Sequence, residues 1–200
     1  MDKVLNLGIP HVACKRGETS IVQLLMDNFN SEESGLNTRD TDGLTPFHWA
    51  CYRGQTDIVK LLLEHSGSNI NLNAKDNYDI TAFMLACDKG RKDVVQLLLN
   101  FSGSDIELNL SLNAKDTHGW TSFIMACMNG RKDVVKLLLN HQARIIELRT
   151  KDICGKTPFM FACKNGHKGV VQLLLEHSEL QKMSILTLLN LIKYFMYPKR

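Results

Sequence analysis

One short pattern recurs along this chain, and it constrains the possible folds more than any other feature of the sequence. Four strings align without gaps, each beginning with Thr and ending in Ala-Cys, at 45–51, 81–87, 121–127 and 157–163. A Gly follows three residues after each Cys, and a Val- and Leu-rich segment follows the Gly. A weaker fifth copy around Ala13 and Cys14 precedes them. The strings begin 36 or 40 residues apart, and such a period predicts a solenoid of stacked supersecondary units.

Each copy is predicted to form two short antiparallel helices. The Thr supplies an N-cap oxygen, and Pro46 and Pro158 occupy the first helical position, where a missing N–H costs nothing. The Gly after the Ala-Cys pair fits a left-handed C-cap that ends the first helix. The second helix, as in 93–99, has apolar residues over a broad face, which is typical of burial between neighbours. Helices this short are marginal in isolation, so the copies must stabilise one another.

The connections between copies are the second regular feature. In the longest of them Ile106, Leu108, Leu110 and Leu112 alternate with polar residues. This is the period of a half-buried strand. We therefore expect extended hairpin fingers between the helix pairs.

These residues resemble the ankyrin-repeat family. The family pattern Asp-x-x-Gly-x-Thr-Pro-x-His-x-Ala-x-x-x-Gly is met by Asp40, Gly43, Thr45, Pro46, His48, Ala50 and Gly54. The chain departs from it where Asp79 replaces the Gly and where Met84, Ile124 and Met160 replace the His. The resemblance implies an all-α fold, an ankyrin-type α-solenoid of about five helix-turn-helix repeats with extended β-hairpin fingers.

The copies divide the chain into six segments, the last of which lies outside the repeat pattern. We expect a degenerate N-terminal repeat at 1–39, repeats at 40–75, 76–115 (with a long finger), 116–151 and 152–180, and an apolar C-terminal helix at 181–200. A solenoid needs a cap on its open apolar end, so the C-terminal helix is expected to serve as that cap. The alternatives are a helix that docks on a partner or membrane surface, and the start of further repeats.

Charge and hydropathy exclude several classes of partner. The 24 basic and 21 acidic residues leave a net charge of +3, which is too balanced to predict nucleic-acid binding. No apolar run has the length of a signal peptide or of a membrane span. We therefore expect a monomer in the cytoplasm or nucleus, with neither a nucleic-acid nor a membrane partner.

Six cysteines are the next candidates for chemistry, but their positions indicate structural roles. Five of them occupy one repeat position, at Cys14, Cys51, Cys87, Cys127 and Cys163. Helix packing would space them beyond disulfide reach, and zinc-ligand spacing is absent. We expect buried, reduced thiols in this row. Cys154 falls in a turn and is the one thiol expected to be exposed and modifiable.

The sequence carries no recognisable catalytic, metal or cofactor motif. His48 is expected to hydrogen-bond locally within its Thr-Pro-x-His turn, and His11 to do the same in the first copy. The series Asp40, Asp76, Asp116 and Asp152 has the spacing of a carboxylate ladder, yet Asp before a tight turn is ordinary turn chemistry. We therefore predict that the chain is not an enzyme and takes no metal or other cofactor.

Basic clusters at 89–92, 129–132 and 164–168 align on one edge of the predicted stack. Binding of an anionic partner is one interpretation. Neighbouring Asp residues and the polar character of interhelix turns favour solvated turns instead.

The ankyrin resemblance also implies where a partner binds. In that family the fingers and the first helices line a concave surface, and the partner-reading positions flank the finger Gly and follow the Ala-Cys pair. The candidates carried over to this sequence are Leu44, Tyr52, Arg53, Tyr78, Ile80, Asp88, Lys89, His118, Trp120, Met128, Asn129, Lys156 and Lys164.

Aromatic residues and Met among these candidates are types enriched at interfaces. For Trp120 and Ile80 the alternative is packing on the adjacent finger. The expected function is a non-catalytic protein-protein interaction module, an adaptor or scaffold for a protein partner. The alternative is a regulatory or inhibitory subunit of an intracellular enzyme or transcription factor.

Overall fold

The computed structural model of the protein describes residues 8–29, 34–64, 70–102, 112–140 and 149–177. These residues form ten α-helices. In chain order they are α1 (Ile9–Arg16), α2 (Thr19–Asn28), α3 (Pro46–Arg53), α4 (Thr56–Glu64), α5 (Ala82–Lys89), α6 (Lys92–Ser102), α7 (Ser122–Met128), α8 (Lys132–Asn140), α9 (Pro158–Lys164) and α10 (Lys168–Glu176).

The helices form five pairs that stack in sequence order. Each odd-numbered helix, here called a first helix, packs on the even-numbered second helix that follows it. First helices also pack on the next first helix, and second helices on the next second helix. The core therefore runs the length of the stack and contains side chains such as Phe47, Leu62, Leu98 and Phe123, each at most 1% exposed. The predicted all-α solenoid is confirmed.

Side-chain caps begin α3, α5, α7 and α9 as the sequence predicts. The hydroxyl of Thr45 accepts a hydrogen bond from the backbone N–H of His48 at 3.4 Å, and Thr81, Thr121 and Thr157 cap α5, α7 and α9 in the same way. At the other end, Gly54 closes α3 with φ of 80°. The left-handed conformation after the Ala-Cys pair is thus confirmed, and it explains why the sequence places Gly there.

Met84 and Met160, which replace the His, keep one of its two hydrogen bonds. The Nδ1 of His48 accepts from the backbone N–H of Thr45 at 3.1 Å, and its Nε2 donates to the Ile80 carbonyl of the next pair at 3.2 Å. The sulfur atoms of Met84 and Met160 accept the equivalent N–H at 3.4 Å. A thioether has no donor, so the cap survives while the bond to the next repeat is lost.

The expectation of a local bond at His11 is wrong. Gly8 occupies the N-cap position there and has no side-chain oxygen. The Nδ1 of His11 is buried without a hydrogen-bond partner among the described residues, while its Nε2 donates to the Leu44 carbonyl at 3.1 Å. His11 thus keeps only the bond between repeats, which is the one that the Met residues lack.

The cysteine row is buried over most of its length. Cys14, Cys51, Cys87 and Cys127 are free thiols inside the stack, and burial raises the pKa of Cys14 to about 12. Cys163 departs from the expectation because it is half-buried. It lies on α9, and no described first helix follows α9 to cover it.

The fingers in the described residues consist of turns rather than strands. One isolated antiparallel bridge joins Lys75 and Thr81. Most of the predicted strand around 106–112 lies outside the described residues, although Leu112 is described and buried. The predicted C-terminal helix at 181–200 also lies outside them, and the limits of the six predicted segments stay predictions.

Candidate protein-binding surface

A ladder of backbone hydrogen bonds holds neighbouring fingers side by side. The N–H of Asn77 donates to the Asp42 carbonyl at 3.1 Å, and the N–H of Thr117 donates to the Tyr78 carbonyl at 3.1 Å. The N–H of Ile153 continues the series to the next finger. The ladder fixes the spacing between the finger side chains.

An aspartate organises each finger turn from within. One Oδ1 atom of Asp76 accepts from the N–H groups of both Tyr78 and Ile80 at 2.8 Å. Asp40, Asp116 and Asp152 accept the two equivalent bonds in their own fingers. The prediction of turn chemistry is therefore confirmed. These carboxylates position the finger residues at the second and fourth places after them.

A depression of about 180 Å³ lies between the second and third described fingers. It is lined by Tyr78, Ile80, Leu85, Asp88, Asp116, His118, Trp120 and Met125. Five of these residues are among the thirteen sequence candidates. The Tyr78 side chain stands at the surface with 58% exposure.

Trp120 is held by packing on both sides. Its ring stacks on His118 at 4.8 Å between centroids and meets the edge of Phe161 in the next pair at 6.0 Å. Its Nε1 is buried with no hydrogen-bond partner among the described residues. The Trp120 ring thus packs on its own finger turn and on α9, and it also lines the depression. Its packing on the adjacent finger stays a prediction.

A second cluster of candidates surrounds Tyr52. The Lys89 ammonium lies 5.1 Å and the Arg53 guanidinium 5.5 Å from the centre of the Tyr52 ring. The ring also meets Trp49 edge-on at 5.7 Å, and the Lys15 ammonium lies 4.3 Å from the Trp49 ring. The quadrupole of an aromatic ring attracts a cation that lies over its face. These contacts therefore hold the ends of α1, α3 and α5 together as one surface.

Asp88 and Asn129 link that cluster to the next repeat. The Asp88 carboxylate lies 2.7 Å from the Lys89 ammonium and accepts a hydrogen bond from the Asn129 amide at 2.6 Å. Asn129 also donates to the Met125 carbonyl. Both polar side chains are therefore satisfied within the protein.

The remaining candidates do not line the depression. Lys156 lies 5.9 Å from the Phe161 ring centre, and Lys164 is exposed at the end of α9. Leu44 and Met128 are half-buried, and the Met128 carbonyl accepts from Asn165 at 2.7 Å. The name finger face is used below for one surface of the stack. It consists of the finger turns at 40–45, 76–81, 116–121 and 152–157 and the last turns of α1, α3, α5, α7 and α9.

Two arginines of the predicted basic clusters are structural ties between repeats. The Nε of Arg91 donates to the Tyr52 carbonyl at 2.9 Å, and the Nε of Arg131 donates to the Asp88 carbonyl at 2.8 Å. Lys92 and Lys132 beside them are exposed. The solvated-turn interpretation therefore describes these lysines but not the arginines.

Comparison with known families agrees with this architecture. The family model described as ankyrin repeats (3 copies) matches residues 10–110 and 107–185. The chain belongs to the ankyrin-repeat family. Ankyrin repeats are generally protein-protein interaction modules and typically lack catalytic activity. No curated protein matches the chain.

Four residues of this ankyrin-repeat chain complete the finger face and were not among the candidates. Trp49, Leu85, Met125 and Phe161 share one repeat position, directly before the Ala-Cys pair. The sequence did hold a signal for them, because this position varies while the Ala-Cys pair that follows it stays constant. Lys15 was missed since the first copy lacks the Thr opening.

The described parts of the chain contain neither a membrane-spanning helix nor a cluster of metal-ligating side chains. None of their helices combines the length and the hydropathy that a membrane crossing requires. Nor do their His, Cys, Asp and Glu side chains come together in a group of three that could hold a metal ion.

Proposed function

We propose that this ankyrin-repeat chain is a non-catalytic adaptor or scaffold that holds a protein partner on the finger face. The observation that carries the proposal is the exposed Tyr78 ring beside an apolar depression, on the same face as the cation and aromatic cluster around Tyr52. Exposed aromatic and apolar groups next to Arg and Lys are typical of the centre and rim of an interface.

The rigidity of the face supports the same function. Backbone bonds join the fingers, and each turn aspartate fixes the two residues that it presents. A partner that binds such a surface orders few groups on the protein side, so little of the binding free energy is lost to ordering. The stack of repeats provides this preorganisation without a flexible loop.

The placement of the shifted titratable groups favours binding over catalysis. Burial lowers the pKa of His48 and raises that of Cys127, and both residues lie inside the stack. Catalytic groups with shifted pKa values lie in clefts open to substrate.

The free thiols support a cytoplasmic or nuclear location. A monomeric state, without nucleic-acid or membrane partners, belongs to the same proposal.

Affinity capture from cell lysate with quantitative mass spectrometry tests the proposal. Tyr78→Ala is the informative variant because the Tyr78 side chain is exposed, whereas replacing Trp120 would also remove packing on Phe161. Phe29→Ala is the matched control, an exposed aromatic residue at the end of α2, with 46% exposure.

We expect Tyr78→Ala to lose a captured protein that the wild type and Phe29→Ala both retain. Equal capture by all three proteins would contradict binding on the finger face. Activity assays on a captured enzyme or transcription factor would then separate an adaptor from an inhibitory subunit.

A further inference from the structure

Three aromatic rings on the finger face already carry a cation from the chain itself. Their charged groups lie 4.3 to 5.9 Å from the ring centres, with Lys15 over Trp49, Arg53 and Lys89 over Tyr52, and Lys156 over Phe161. The face of an aromatic ring attracts a cation in this position. Tyr78 differs, because no Lys or Arg of the described residues lies over its ring, and it is 58% exposed.

The carboxylate of Asp116 has an oxygen atom that its own turn does not use. Its Oδ1 accepts the N–H groups of His118 and Trp120, at 2.9 and 2.8 Å. Among the described residues, its Oδ2 is paired only with the Nδ1 of His118, at 3.6 Å, which is too long for a hydrogen bond. In the first described finger, the equivalent Oδ2 of Asp40 accepts from the Nε1 of Trp49 at 2.9 Å.

Met125 explains this difference between the two fingers. It occupies the repeat position of Trp49 and has no donor for the aspartate. The Asp116 side chain is only 2% exposed, and a buried carboxylate oxygen is costly to leave without a donor. Because Asp116 is part of the lining of the depression, a donor on a bound partner would complete its pairing.

Charge in the depression favours a cation as that donor. Asp88 and Asp116 line it, and no Lys or Arg is among the described residues of the lining. Lys89 balances Asp88 at 2.7 Å, so the uncompensated carboxylate is that of Asp116. An ammonium or a guanidinium would be attracted there, whereas a carboxylate or a phosphate would be repelled.

Lys89 shows how the chain itself holds a cation beside such groups. Its ammonium lies 5.1 Å from the centre of the Tyr52 ring and 2.7 Å from the Asp88 carboxylate. The depression offers the same two kinds of group, the ring of Tyr78 and the carboxylate of Asp116, without a lysine of the chain in its lining.

The size and the walls of the depression suit a single long side chain. Its volume of about 180 Å³ is below the range of about 300–1,000 Å³ usual for small-molecule sites. Its walls include the apolar side chains of Ile80, Leu85 and Met125. The methylene stem of a Lys or Arg packs on apolar walls of this kind while its charged head reaches polar groups.

We propose that the partner on the finger face is a peptide segment that seats one Arg or Lys side chain in the depression beside Tyr78. Its stem packs on the apolar walls, and its charged head donates to the Oδ2 of Asp116. This inference rests on the proposed function and names the residue class by which the partner is recognised. The preformed finger turns keep the ordering cost on the protein side small.

A random twelve-residue peptide display, selected on the full chain at pH 7.5, is the test. Asp116→Asn removes the charge but keeps an oxygen that accepts the turn N–H groups, and Tyr78→Ala removes the exposed ring. Asp152→Asn is the matched control, because Asp152 accepts the same two turn bonds in its own finger and does not line the depression. Thermal melts verify that each variant is folded.

We expect the enriched peptides to share one Arg or Lys. By fluorescence anisotropy, the strongest of them should bind about tenfold more weakly to Asp116→Asn and to Tyr78→Ala, but normally to Asp152→Asn. Replacing its Arg by citrulline, or its Lys by norleucine, should weaken binding to the wild type by a similar factor. Asp116→Asn should then cause little further loss, because the charged pair is already broken.

Other outcomes would overturn the inference in distinguishable ways. Enriched peptides that share no basic residue, yet lose binding to Tyr78→Ala, would refute the seated cation and leave the proposed function standing. The same holds for a shared basic residue whose neutral replacement binds equally well, or whose binding Asp116→Asn does not weaken. Peptides that bind all variants equally would refute both proposals. No enrichment would refute this inference alone, since capture of a whole protein tests the proposed function.

Discussion

The guanidinium Nε of Arg91 lies 2.9 Å from the backbone carbonyl oxygen of Tyr52 and donates a hydrogen bond to it across 39 positions of sequence. Arg131 makes the same bond to the Asp88 carbonyl. The Arg91 side chain also crosses Gly54, where a β-carbon would stand 2.8 Å from its Cδ. The position therefore needs Gly for its left-handed φ and for this close approach. Adjacent repeats are thus tied together at the helix ends that form the finger face.

Arg91→Ala should lower the free energy of unfolding by about 1.5 kcal/mol, because it leaves the half-buried Tyr52 carbonyl without its charged donor. Lys92→Ala is the control, since Lys92 is exposed at the next position. Urea denaturation of both variants measures the difference. Equal midpoints for the two variants would show that the tie does not stabilise the stack.

Asp79→Gly should stabilise the protein by about 0.5 kcal/mol, even though it removes the exposed ion pair with Lys75. Asp79 has φ of 63°, while Gly119 occupies the equivalent place in the next finger with φ of 75°. Gly119→Ala is the converse change and should destabilise, because its β-carbon would lie 3.1 Å from the Ile153 backbone nitrogen. A less stable Asp79→Gly protein would refute strain at this turn.

Much of the fold follows from the sequence because each copy repeats the same local chemistry. Thr45 and its equivalents cap helices, and residues such as Cys51 are covered by the next pair. Contacts between copies do not follow, since they depend on the offset between repeats. The Arg91 tie is one such contact. The exposure of Cys163 arises from its place on the last described first helix.

The candidate surface was partly predictable for the same reason. Family positions located Tyr78, Ile80 and Trp120, which the structure brings to one depression. The contact of Trp120 with Phe161 was not predictable, because it depends on how the Trp120 finger turn is placed against α9 of the next pair. Nor could the sequence show which cations lie over which rings.

His48 should make stability fall below neutral pH. Burial lowers its pKa in the folded protein below the ordinary value of 6.5. The unfolded chain therefore binds the proton first as pH falls, and stability is lost from about pH 6.5 downward through the folded pKa. Protonation also places a hydrogen on Nδ1, which in the fold accepts from the N–H of Thr45.

His48→Met tests this assignment, because Met84 and Met160 already occupy the equivalent positions. At pH 7.5 the variant should be about 1 kcal/mol less stable, since the bond to the Ile80 carbonyl is lost. Between pH 7.5 and about 5 it should lose less stability than the wild type. Parallel stability curves for the two proteins would rule out His48 as a source of the pH dependence.

Thiol labelling of the native protein should begin at Cys154, which is exposed, and continue more slowly at the half-buried Cys163. Burial raises the pKa values of Cys14, Cys87 and Cys127, so these thiols supply little thiolate near neutral pH. Mass spectrometry after timed labelling locates the modified sites. Cys154→Ser should abolish the fast phase, and rapid labelling of Cys87 in the folded protein would refute its place in the core.

Site-specific photo-crosslinking measures most directly whether a protein partner binds the finger face. Benzoylphenylalanine is placed singly at Tyr78 and Arg53 on the face, and at two positions away from it, Phe29 directly after α2 and Lys136 on α8, all of them exposed. Binding on the finger face predicts irradiation-dependent adducts with one protein from Tyr78 and Arg53, and none from Phe29 or Lys136. Adducts of equal or greater yield from Phe29 and Lys136 would contradict it.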